Sequence, residues 1–180
     1  MSYGGIQAMF NFGDGFYSLK NNGGGNLELY QNNIGDYNNF YGNIKGWSFS
    51  FISNQNPTLT KIFDTVDLRA DHYLINESEQ LLNSCPINFM EVNNEYQDSG
   101  IIPLNSKSIR KKFRIWRGLL PRNKSTRQRI RNPWSMITLG WTPDIGQSSS
   151  NTNVEHNPGQ SNNNDTNKAV IHDVSVKYTI

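Results

Sequence analysis

The run His172-Asp173-Val174-Ser175-Val176-Lys177-Tyr178-Thr179-Ile180 constrains this chain more than any other stretch. Its side chains alternate without a break. His, Val, Val, Tyr and Ile fall on one side, and Asp, Ser, Lys and Thr on the other. Only an extended strand has that period, and a strand apolar on one side must lie on a sheet that covers a core. Because the run reaches the last residue, it is predicted to be a closing element of the domain rather than a tail. Trp47, Phe49 and Phe51 alternate with Ser48 and Ser50 in the same way, which predicts an aromatic buried face opposite a wet one.

The remaining segments extend this picture. Phe10-Asn11-Phe12 and Phe16 to Leu19 flank Gly13-Asp14-Gly15, a hairpin signal. Asn21 to Asn26 is a second turn before the alternating Leu27 to Tyr30. Lys61 to Asp71 alternates less cleanly, with Ile62, Val66 and Leu68 on one parity and Phe63 on the other. Ile87 to Tyr96 and Trp134 to Trp141 read as further strands. Asn is over-used, with 26 copies, and Asn, Gly and Ser disfavour helix interiors. One short helix is predicted over Asn76 to Asn83, because Asn76 and Glu79 have the capping-box spacing. Gln147 to Lys168 is nearly devoid of apolar residues and predicts a mobile loop. No internal repeat stands out. The expected fold is an all-β antiparallel sandwich or barrel-like domain of about eight to ten strands. Residues 1–30 are expected to form a hairpin segment, the end of an upstream domain, and 31–180 the sandwich-like domain, with its loop at 147–168.

The residues give little sign of catalysis. His72, His156 and His172 have no second His or Cys at metal-ligand spacing. His172, on the apolar face of its strand, is expected to be a core histidine with a backbone partner, and Asp71-His72 weakly suggests a pair. Cys85 is the only cysteine, so an internal disulfide is excluded and an ordinary buried thiol expected. There is no Walker loop, no GxSxG and no HExxH; Gly23-Gly24-Gly25 lacks the lysine and helix of a phosphate loop. The expectation is no enzyme activity, no cofactor, no metal and no small-molecule substrate. No stretch reads as a signal peptide or as a bilayer span, so the chain is expected to be soluble and made in a reducing cytoplasm, without a membrane partner.

Charge is where the sequence is most polarised. Residues 1–98 carry eleven acids and four bases, a net −7, whereas residues 99–143 carry eleven bases and no acid. All eleven lie between Lys107 and Trp134, a stretch predicted to be one β-hairpin with its turn at Arg122 to Thr126 and a second basic strand at Arg127 to Arg131. The candidates are Lys111, Lys112, Arg114, Trp116, Arg117, Arg122, Arg127, Arg129 and Arg131. Three readings stay open. The stretch could grip nucleic acid, with Phe113, Trp116 and Trp134 as stacking surfaces. It could be a protein interface anchored by Arg and Trp. Or it could be a solvated edge charged against aggregation. In the interface reading it docks on an acidic counter-face of Asp64, Asp67, Asp71, Glu91 and Glu95, in the same copy or the next. A glycan- or receptor-binding module is a third functional class, since aromatics can serve as stacking platforms.

Several motifs also occur in a recognisable order: KIFDTVDLRAD (Lys61 to Asp71), NEYQ (Asn94 to Gln97), KKFRIWRGLLPR (Lys111 to Arg122), RIRNPW (Arg129 to Trp134) and HDVSVKY (His172 to Tyr178). DYNNFYG, Asp36 to Gly42, precedes the aromatic strand and fits the same series. Over roughly residues 27 to 180 the chain resembles the C-terminal region of the stabilization or muzzle protein family of crAss-like bacteriophages. The resemblance implies a non-enzymatic structural virion protein of a short-tailed phage tail, made in the bacterial host cytoplasm. Its implied partners are other copies of itself and other tail proteins, with a DNA contact as a further option. Family members are far longer, and this chain starts where their last portion would begin. The Asn/Ser-rich loop looks like a local insertion.

Overall fold

The computed structural model describes residues 5–32, 39–41, 43–75, 79–105, 107–143, 145 and 166–180. Among them every regular element is a strand, and all pairings are antiparallel. The chain divides into two compact units, Met1–Asn43 and Ile44–Ile180.

The first unit is a meander of β1 (Ile6–Phe12), β2 (Gly15–Asn21) and β3 (Leu27–Asn32). Phe12 lies opposite Gly15 across the Gly13-Asp14 turn, where Gly13 takes a positive φ of 58°. One face is held by Tyr41. Its hydroxyl lies 3.1 Å from Ser18 Oγ, its ring stands edge-on to Tyr30 at 4.7 Å, and Lys20 Nζ sits 4.5 Å from its centroid. The other face carries Phe10, stacked on Tyr17 at 5.9 Å, together with Phe12, Leu27 and Leu29, all exposed. A two-residue ladder joins β4 (Asn39–Phe40) to β5 (Asn43–Ile44).

The second unit is a sandwich. One sheet has the order β10-β9-β14-β6, built from β6 (Trp47–Ser53), β9 (Phe89–Asn93), β10 (Ile102–Pro103) and β14 (Ser135–Trp141). The other is organised on β7 (Lys61–Ile75). Along one edge of β7 lie β8 (Glu79–Leu82), β12 (Ile115–Leu119), which carries β11 (Ile109–Lys112), and β13 (Arg131–Asn132). Along its other edge runs β15 (Thr166–Thr179). The inner faces meet in a core of Phe63, Val66, Leu68, Ala70, Met90, Val92, Trp116, Ile130, Ile137 and Leu139, with Trp47, Phe49, Phe51, Val174, Val176 and Tyr178 packed at its margin. The chain is thus all-β, as its alternation required. At Gly140 the sheet leaves no room for a side chain, since a Cβ would stand 2.4 Å from the Trp47 carbonyl oxygen.

Three local expectations are corrected. Asn76 to Asn83 holds no helix among its described residues; Glu79–Leu82 is a strand, with His72 opposite Leu82 and Ile75 opposite Glu79. The far half of β7 runs past the reach of β12, and its open main-chain groups outweigh a capping signal too short to nucleate a helix. The imperfect parity of β7 has a cause in its partner: Tyr178 pairs with Phe63 and Lys177 with Thr65, so Asp64 is bulged out and the inward parity switches from Phe63 to Val66. A second bulge lies between Ile171 and Asp173, and it turns His172 out of the core. His172 Nε2 lies 2.9 Å from Asp71 Oδ2, while His72 points inward with Nδ1 2.6 Å from Ser84 Oγ. β15 also begins earlier than expected, at Thr166; residues 147–165 of the predicted loop lie outside the described residues.

Candidate interface site

The basic stretch is a hairpin, but a shorter one than expected. β11 and β12 pair Ile109 with Gly118, Arg110 with Arg117, Lys111 with Trp116 and Lys112 with Ile115, leaving Phe113 and Arg114 as a two-residue turn. Both turn residues have positive φ, 50° and 64°, as a type I′ turn demands. Arg122 to Thr126 is not the hairpin turn, and Arg127 to Arg131 is not its second strand; only Arg131 and Asn132 are extended. Asn123 closes that loop instead. Its side chain accepts from the backbone N–H groups of Ser125 and Thr126, both at 2.9 Å, and its own N–H donates to Gln128.

Pairing across the hairpin sorts the candidates into two faces. Trp116 is 5% exposed and belongs to the core, so it is no stacking surface for a base. Lys111, opposite it, lies half-buried with Nζ 5.2 Å from the Trp116 ring. Arg110, Lys112 and Arg117 project from the outer face. At the tip Phe113 is 87% exposed between Lys112 and Arg114. Arg110 and Phe113 matter here although net charge alone did not single them out; the cross-strand register does.

The acids divide as well. Asp64, Asp67 and Asp71 all project outward from β7. Asp67 lies directly opposite Arg117 and accepts from two of its nitrogens, Nε at 2.6 Å and Nη2 at 2.7 Å, while Lys177 approaches from β15 at 3.3 Å. These partners shield the carboxylate, whose side chain is 9% exposed, and the Arg117 hydrogen bonds hold its pKa below the ordinary value. Arg129 Nη1 meets Asp64 at 2.8 Å, and Thr179 Oγ1 donates to the other oxygen at 2.6 Å. Asp71 is taken by His172 rather than by the basic stretch. Glu91 and Glu95 do not join this face. Glu91 lies on β9 opposite Thr138, in the other sheet, and Glu95 in the exposed turn that follows. A further pair, Lys124 with Asp98, fastens the Asn123 loop and draws the Asp98 carboxyl below its usual range. Gln97 ties the NEYQ turn to the same region: it donates to the Arg129 carbonyl at 3.2 Å and accepts from the Arg131 N–H at 2.6 Å.

Part of the positive charge is therefore already matched within one copy. Among the described residues, Arg110, Lys112, Arg114, Arg122, Arg127 and Arg131 form no salt bridge. Arg122 reaches only the Arg127 carbonyl, at 3.3 Å. What remains at the hairpin tip is Lys112 and Arg114 flanking one exposed ring, whereas Arg131 pairs at the far end of β7, opposite Ile62. Nothing nearby suggests bond-making chemistry. Cys85 is buried, and its thiol is pushed up to about 12 by that burial, so it is no nucleophile at neutral pH. Among the described residues no group of three or more His, Cys, Asp or Glu could hold a metal, and no helix is long and apolar enough to cross a membrane.

The comparisons agree with the motifs. Residues 35–123 match the family described as the Crassvirus muzzle protein C-terminal domain. The muzzle protein of Bacteroides phage crAss001 is 39% identical over 146 residues, 78% of this chain. That stretch spans only 10% of the phage protein's length. The resemblance read from the motifs therefore holds: the chain is a relative of the crassvirus muzzle proteins, and the family model places the match in their C-terminal domain.

Proposed function

We propose that this chain is a structural module of a phage virion, a muzzle-like part of a tail that assembles through the tip of the β11–β12 hairpin. Two kinds of support meet here: the likeness to muzzle proteins, and one observation that carries the interface. Phe113 is held at positive φ, which a bulky aromatic rarely adopts, and yet 87% of it is left in solvent. A ring kept in that conformation without burial in its own copy has its natural use against a neighbour. Lys112 and Arg114 on either side steer it towards an acidic surface. Glu91 and Glu95, which form no salt bridge among the described residues, are acids that a neighbouring copy offers; other tail proteins could offer the like.

A hairpin on one copy against a different surface of the next is a heterologous contact, so it builds rings or chains rather than closed pairs. The test is sedimentation velocity on the full chain and on the Phe113→Asn/Arg114→Glu variant. The wild type should form species larger than dimers, and the variant should lose them while keeping its sheet circular dichroism. Large species that persist unchanged in the variant overturn this reading. The exposed cations support a second reading, contact with DNA. It predicts binding of a random duplex that falls steeply, in proportion to the phosphates contacted, as salt rises.

A further inference from the structure

The strand that most constrained the fold also carries an unused edge. Among the described residues β15 pairs with β7 alone, so its outer edge has no strand beside it. Edges of this kind are ordinarily blunted by bulges and charges. The β7–β15 ladder has two bulges, one in β15 where His172 is the extra residue between Ile171 and Asp173, and one in β7 where Asp64 is the extra residue facing Lys177 and Tyr178. They bracket five residues in unbroken register against β7: Asp173 opposite Arg69, Val174 opposite Leu68, Ser175 opposite Asp67, Val176 opposite Val66 and Lys177 opposite Thr65. The two bulges thus bound one short regular window of the ladder, and His172 marks its start on the outer edge.

That window is Asp-Val-Ser-Val-Lys. It is self-complementary when read in the opposite direction. Two copies laid antiparallel about Ser175 place each Asp173 opposite the other copy's Lys177, and each Val174 opposite the other's Val176. Ser175 faces itself on the axis. A slip of two residues sets the charges against serine, and a slip of four sets Asp173 against Asp173 or Lys177 against Lys177. A slip of one sets an outward residue opposite an inward one, which the pleat forbids. The register about Ser175 is therefore the one that satisfies both charges. It also covers Val174 and Val176, which are half-buried at the margin of the core, while Asp173, Ser175 and Lys177 are exposed and open to a partner. Lys177 already touches Asp67 at 3.3 Å, but Asp67 has both oxygens on Arg117, and an ammonium has donors to spare for a second carboxylate.

We infer that the Asp173–Lys177 edge of β15 is a docking surface for a second copy of this chain, paired antiparallel about Ser175 to join two six-stranded sheets into one. This is an isologous contact, closed at two copies, and distinct from the hairpin docking above.

The experiment is sedimentation equilibrium on the full chain up to about 100 μM, a range that reads affinities of ordinary transient pairs. It is run in the Phe113→Asn/Arg114→Glu background, which removes hairpin-driven species, and that chain should show a monomer–dimer equilibrium. Asp173→Lys and Lys177→Asp each create two like-charge pairs by symmetry, and each should weaken the dimer about tenfold or more. The double variant Asp173→Lys/Lys177→Asp restores both pairs and should return the affinity towards that of the starting chain. Ser175→Lys keeps a lysine beside Asp67 within the copy but sets two lysines face to face on the axis, so it should weaken the dimer without loss of fold. A hairpin-variant chain that stays monomeric throughout overturns the inference. So does a dimer indifferent to the single charge reversals, or a double variant no tighter than either single. The hairpin variant Phe113→Asn/Arg114→Glu should leave this dimer intact, which separates failure here from failure of the hairpin reading.

Discussion

The two units use the same alternating strands and the same aromatic residues, yet they bury them very differently. Among the described residues of Met1–Asn43 the fully buried one is Ser18, and Met9, Phe10, Phe12, Leu27 and Leu29 are exposed. In Ile44–Ile180 the second sheet gives such side chains somewhere to go, and Val66, Leu68, Met90, Val92, Ile137 and Leu139 are sealed. Alternation makes a strand. Only a second layer makes a core, and three strands in one layer are near the limit of independent stability.

The largest effect should come where that second layer acts. Leu68→Ala, at the centre of β7, should cost about 2–5 kcal/mol. All four tryptophans lie beyond residue 44, so their fluorescence follows the second unit alone during chemical unfolding. Leu29→Ala, on the exposed face of β3, should leave that transition within about 0.5 kcal/mol. Equal shifts from the two substitutions would break the contrast between the units.

A smaller effect tests the outer face of the same sheet. Arg117→Met keeps the stem of the side chain but strips both guanidinium hydrogen bonds from Asp67, and should lower the denaturation midpoint, by less than Leu68→Ala because Arg117 itself is half exposed. The cost must depend on pH. Asp67 has a folded pKa below its ordinary value, so its contribution is full above about pH 4, where the unfolded carboxyl titrates, and is lost as pH falls through the folded value. The gap between wild type and variant should therefore close in acid, measured as denaturation midpoints from pH 7 downward. A gap that stays constant means the loss is one of packing and not of charge.

These contrasts show what the sequence could carry. The strands of Trp47, Phe49 and Phe51 and of Val174 to Tyr178 were legible because one face is uniformly apolar. The resemblance was legible because its motifs are long and ordered. The bulges were not, because one extra residue in β15 changes the facing of His172 with no mark in composition. The partition of the acids was not legible either: Asp67 and Glu91 are alike as residues, and only the placing of β7 and β9 in separate sheets parts them. The hairpin turn was misplaced because Pro121 and the polar run after it are the stronger turn signal, whereas Phe113-Arg114 has none of the usual turn residues.

That mismatch gives the smallest effect. Among the described residues of the first unit exposure goes with the lack of a second layer, and the side chains sit on regular strands at no conformational cost. Exposure of Phe113 comes with strain, because an aromatic residue is held at φ 50° where Asn or Gly is the usual occupant. Phe113→Asn should therefore stabilise the second unit, by about 0.5–1 kcal/mol, as a compatible turn residue relieves the strain. Phe10→Asn on β1 has no such strain to relieve, and should bring no gain. If hairpin docking is the use of Phe113, the same substitution should weaken assembly while it raises the melting midpoint. Stability and association would then move in opposite directions at one residue, which is how strain kept for a contact differs from strain merely tolerated. A fall in the midpoint on Phe113→Asn would mean that the ring has packing of its own within the copy, and the two kinds of exposure would reduce to one.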